Sequence, residues 1–91
     1  MSKSDQMMEL SNESIEALKG EILRARVKFP RNRFLYCALG EESGELAEAL
    51  LQKQGRNRVQ AEALQVACVA MRIYEEGDAS FDDITDEEAK A

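Results

Sequence analysis

From Ser11 to Gly77, apolar residues return every three or four positions, and only two short stretches break the pattern. Ile15, Leu18, Ile22, Ala25 and Phe29 form the first run, at the period of a helix buried along one side. Pro30 disfavours helical geometry at Phe29, so the first helix is expected to stop there, with Ser11 or Asn12 capping its start. Asn32 is placed to cap a second helix that runs to about Lys53. The stretch "QGRN" (54–57) reads as a turn, Gly55 closing the second helix and Asn57 opening the third. The third helix runs from about Arg58 to Glu76 and ends at Gly77. Short connections make consecutive helices antiparallel neighbours. The expected fold is all-α: an antiparallel bundle of three main helices plus a short C-terminal segment.

At 91 residues the chain is one small domain, 1–91, with residues 1–10 as a frayed lead-in and 78–91 as an acidic tail. Thr85 and Glu88 in that tail have capping-box spacing. A chain this short buries a modest share of its surface, and a second copy is expected to complete the core, as a dimer or tetramer. No apolar run approaches the roughly 20 residues needed to cross a bilayer, and the N-terminus lacks the apolar region of a signal peptide. A membrane partner is therefore not expected. Cys37 and Cys68 are too few for a disulfide framework and read as buried thiols in a reducing cytoplasm. The net charge of −6 is uneven: from Glu75 onward eight acids face one lysine, a balance of −7, which leaves +1 for residues 1–74. Overall acidity argues against duplex nucleic acid. Arg24, Arg26, Lys28, Arg31 and Arg33, with Lys53, Arg56 and Arg58, flank an acidic centre and suit a small polyphosphate carried with a cation.

That centre is "ALGEESGELAEALL" (38–51). At about 100° per residue, Glu41, Glu45 and Glu48 share one arc of the second helix, with Glu42 at its edge. Leu35, Leu39, Leu46 and Leu50 lie opposite. An amphipathic helix with a wet acidic face explains this much. The arc, however, continues into Phe34, Cys37 and Ala38, so the first two turns are apolar nearly all round. Gly40 and Gly44 fit either close helix packing or the approach of a ligand. On the third helix, Glu62 falls inside the stripe Val59, Val66, Val69 and Ile73. A buried carboxylate must be protonated, paired with a base, for which Arg72 on the same helix is the candidate, or bound to a metal. Folding about Gly55 sets Glu48 opposite Glu62 and Glu45 opposite Gln65. Carboxylates converging from two helices raise one another's pKa unless a cation holds them, and hard oxygen ligands without histidine suit Mg2+ or Mn2+.

"EESGE" followed, after a short turn, by an inward Glu62 resembles the MazG family of all-α nucleoside triphosphate pyrophosphohydrolases, whose motif is E-E-x-x-E followed by E-x-x-D. The wider phrasing "KFPRNRFLYCALGEESGELAEALL" with "AEALQVACVAMRIYEEGD" is similar to short MazG-like proteins of bacteriophages and prophages, over about residues 28–78. The resemblance implies that Glu41, Glu42, Glu45 and Glu62 hold Mg2+, or Mn2+, and that Glu41 or Glu42 serves as catalytic base. The implied reaction is water attack at the α-phosphorus of a nucleoside triphosphate, with release of pyrophosphate. Lys53 and Arg58 are candidates to bind phosphate. The family's last aspartate falls on Gln65, an amide that can still ligate through oxygen but carries no charge. That departure keeps open a nucleotide-binding sensor with little or no activity, and a second alternative is a helical interaction module whose acidic tail contacts a basic partner.

Overall fold

The computed structural model describes residues 9–81, and these form helices and turns with no strand. Helix α1 spans Asn12–Lys28, α2 Leu35–Leu51 and α3 Arg56–Glu76, and a single 3-10 turn follows at Ala79–Phe81. The Thr85–Glu88 pair lies outside the described residues. No described helix is long and apolar enough to cross a membrane.

Helix α1 has the ends its sequence predicts. The Ser11 hydroxyl accepts from the Ser14 N–H at 3.1 Å, and the Phe29 N–H closes the last turn on Ala25 O at 2.7 Å. Pro30 then prevents a further turn.

Helix α2 starts differently from expectation. Asn32 does not cap it; the Asn32 amide instead donates to Glu76 O at 2.7 Å, and the helix begins at Leu35. Before it, Phe34 adopts φ +59, a conformation that disfavours bulky side chains. The cap comes from far along the chain. Asp78 accepts from the Phe34 N–H at 3.1 Å and from the Tyr36 N–H at 2.9 Å, and Ser80 Oγ accepts from Phe34 N–H at 3.0 Å. First-turn N–H groups need acceptors, and a carboxylate at that end also complements the helix dipole. Desolvation alone would raise the Asp78 pKa; the N–H groups of Tyr36, Ser80 and Phe34 outweigh it and lower the pKa.

The α2–α3 turn also departs from the reading about Gly55. Helix α2 ends at Leu51, and Lys53 takes the left-handed position, φ +53. Gln54 N–H donates to Ala49 O at 3.0 Å and Lys53 N–H to Leu50 O at 3.3 Å, the paired closure of a Schellman turn. Gly55, at φ +101, is the N-cap of α3, which leaves Asn57 inside the first turn rather than before it.

Helix α3 is the central element: α1 and α2 each pack on it and do not pack closely on one another. The start of α2 lies at the end of α3, through Asp78, and the middle of α2 reaches Glu62 near the start of α3. Ile22, Leu35, Ala49 and Cys68 are the buried apolar residues among those described. Cys37, read as buried, is exposed; Cys68 is the buried thiol, and desolvation pushes its pKa up.

Two charged residues share this interior, Glu62 and Arg72. Arg72 does not pair with Glu62. Its Nε and Nη2 each lie 2.9 Å from a Glu76 oxygen, and Arg26 Nε reaches the same carboxylate at 3.0 Å. Arg72, against the opposing effect of burial and with help from Arg26, holds the Glu76 carboxyl at about 2. Arg72 Nη2 also donates to Arg31 O at 3.4 Å, so the network ties α1 and the loop after it to the end of α3.

Candidate metal centre

The inward face of α2 runs through Leu35, Ala38, Glu42, Glu45 and Ala49, all buried or half-buried, whereas Glu41 and Glu48 are exposed. The cause is the position of the turn. With Lys53 and Gln54 at its apex, α2 is set almost one helical turn from the register expected about Gly55. Glu45, rather than Glu48, comes opposite Glu62.

Three carboxylates therefore meet from two helices: one oxygen each of Glu42, Glu45 and Glu62 lies within 4.8 Å of the others. Glu62 is 6 % exposed. Its Oε1 lies 3.0 Å from Arg58 Nη2, one turn earlier on α3. Its Oε2 is buried with no hydrogen-bond partner among the described residues. An oxygen in that state costs about 1–3 kcal/mol or more, which a cation or proton would recover. Desolvation, followed by the charges of Glu45 and Glu62, raises the Glu42 pKa. The donor set is oxygen only, which suits Mg2+ or Mn2+.

The other predicted site residues lie around this cluster. Glu41 is outside it, on the wall of a cavity of about 310 Å³ that also includes Glu42, Gln65, Arg31, Arg33 and Phe34. Gln65 faces that cavity but donates to Glu21 Oε2 on α1 at 2.8 Å. That bond, with help from Arg24, lowers the Glu21 pKa. Gln65 is thus engaged with α1 and does not face Glu45. Lys53 sits exposed at the hairpin apex. Arg58 is engaged with Glu62.

Two features were not singled out from sequence. Glu21, paired with Arg24 on its own helix, also reaches Gln65 on α3, and nothing in the sequence signals that contact. Arg31 and Arg33 belong to a basic cluster visible in the sequence, but only the loop geometry brings them to the cavity wall. Gly40 and Gly44, open to two readings, have no atom near the place a side chain would occupy. Close packing within this chain therefore does not explain them.

Compared with family models, with curated proteins and with solved structures, the chain matches none.

Proposed function

We propose that this chain is a metal-dependent nucleoside triphosphate pyrophosphohydrolase of the MazG type, built as an antiparallel helical bundle that a second copy completes. The observation that carries this reading is the meeting of Glu42, Glu45 and Glu62 from two helices, with a buried Glu62 oxygen left unpartnered. Those residues would hold Mg2+ or Mn2+, and the bound ion would supply neutralisation of phosphate oxygens and a more acidic water. Glu41, exposed beside the cluster and on the cavity wall, is suited to accept a proton from that water. Arg31 and Arg33 present positive charge to the same cavity, where a triphosphate would need it, and Phe34 offers an aromatic surface to a base. The membership itself rests on the motif resemblance.

The test is a panel of canonical and modified nucleoside triphosphates with Mg2+ or Mn2+ and detection of pyrophosphate. Pyrophosphate release by the parent, lost in Glu45→Ala, is expected. No release from any substrate rejects the enzyme, and orthophosphate in its place rejects attack at the α-phosphorus.

One observation favours a second reading. The family's final carboxylate position is occupied by Gln65, and its amide is committed to Glu21. A cage with one charge fewer suits a protein that binds a metal–nucleotide complex and releases it unchanged. Nucleotide binding without turnover in the same panel would select that reading.

A further inference from the structure

We propose that Arg58 competes with the divalent cation for Glu62, so that the charge carried at position 58 sets the cation affinity of the Glu42, Glu45 and Glu62 cluster. The inference rests on the metal reading of that cluster and adds to it a built-in rival for one ligand.

The Glu62 carboxylate has two oxygens in unlike circumstances. Oε1 faces Arg58 Nη2 at 3.0 Å, and Oε2 is buried and unpartnered. A cation that used Glu62 would sit beside a guanidinium of the same sign, and repulsion at such spacing is not fully screened even by water. One of the two positive groups must give way. Arg58 is the one free to do so, because its side chain is 57 % exposed while that of Glu62 is 8 % exposed. Glu62 cannot follow Arg58 outward without leaving the interior, so the exchange moves the arginine. The other charged groups near the site do not take its place. Arg72 is committed to Glu76. Arg31 and Arg33 line the neighbouring cavity, on the Glu41 and Glu42 side. Once displaced, Arg58 remains tethered one turn from Glu62, where it can meet an anion that arrives with the metal.

The experiment is titration of the intact protein with Mn2+ alone, at low ionic strength and without nucleotide, reading free Mn2+ by electron paramagnetic resonance. The series is the parent, Arg58→Lys, Arg58→Gln, Arg58→Glu and Glu62→Gln, each checked for its melting transition. Position 58 is exposed in the first turn of α3, so these variants keep a helical fold. Arg58→Lys should bind as the parent does. Arg58→Gln should bind about five-fold tighter, and Arg58→Glu tighter again. Glu62→Gln should lose the site. Raising the salt to roughly 0.5 M should compress the series, because an exposed charge is screened. Arg58→Gln binding equally or more weakly than the parent overturns the proposal and makes Arg58 a group that orients Glu62, with the metal reading intact. Arg58→Lys as tight as Arg58→Gln also overturns it. If neither the parent nor any variant binds Mn2+ at millimolar concentration, the metal reading falls and this inference with it.

Discussion

At position 62 a carboxylate occupies a place the apolar pattern reserves for a hydrophobe, and half of it has no partner. Natural interiors keep such groups rare because the desolvation cost is not returned. Glu62→Gln should therefore leave the metal-free protein at least as stable, since the amide removes one of three neighbouring charges and supplies a donor. The same change should abolish stabilisation by Mg2+ or Mn2+. In the parent, cation at about 100 times its dissociation constant should add roughly 2.7 kcal/mol. Thermal melts of both proteins with and without Mg2+ check this, and a parent unaffected by either ion would refute the site.

Glu76 shows the opposite balance. Its pKa lies at about 2, below the ordinary 4.5, so its ionised form is favoured in the folded state. A lowered acid contributes stability above the unfolded value, and that contribution is lost as pH falls from about 4.5 towards 2. Glu76→Gln should cost on the order of 2 kcal/mol at pH 7, less than the full shift implies because the cluster is partly wet. The penalty should fade towards pH 2. Denaturant melts across this range read it directly, and a penalty independent of pH would show that packing, not charge, holds Glu76.

Among elements, α2 depends most on residues outside itself. It has no side-chain cap of its own, and Phe34 before it is held in an unfavourable conformation by Asp78 and Ser80. Asp78→Ala should fray the first turn of α2 while leaving the centre of α3 intact. Amide exchange at Phe34, Tyr36 and Cys37 should accelerate several-fold, with Cys68 unchanged and the melting temperature lower. Uniform acceleration across all three helices would instead mean that Asp78 supports the whole fold. The element also carries the site: the same end of α2 that Asp78 fixes holds Phe34 and leads into Glu41 and Glu42.

At the scale of the molecule, the three described helices leave much apolar surface of their own uncovered by one another. Phe34 and Tyr36 are 58 % and 50 % exposed, Leu51 and Tyr74 more than 80 %. A monomer that shows large apolar side chains on several faces is suited to burial against a second copy. Sedimentation equilibrium at micromolar concentration should give at least twice the chain mass of 10.2 kDa. A stable species at the chain mass itself would refute self-association.

The helices, their approximate ends and the inward Glu62 were legible because they follow from period, proline and glycine, all of which act within a few residues. Ser11 and Gly77 cap as read, since each needs only its own turn. Asp78 takes the capping role read for Asn32 because capping is decided by which acceptor the tertiary fold delivers to the helix end, and Asp78 arrives from 44 residues away. Folding about Gly55 set Glu48 opposite Glu62, whereas the motif resemblance named Glu42 and Glu45 beside it, and the pairing failed for a related reason. Lys53 taking the left-handed position that Gly55 was expected to fill moved the register of α2 on α3 by almost a turn. Period alone sets which residues share a face of one helix; the turn and the packing of α3 decided that Glu42 and Glu45, and not Glu48, stand beside it.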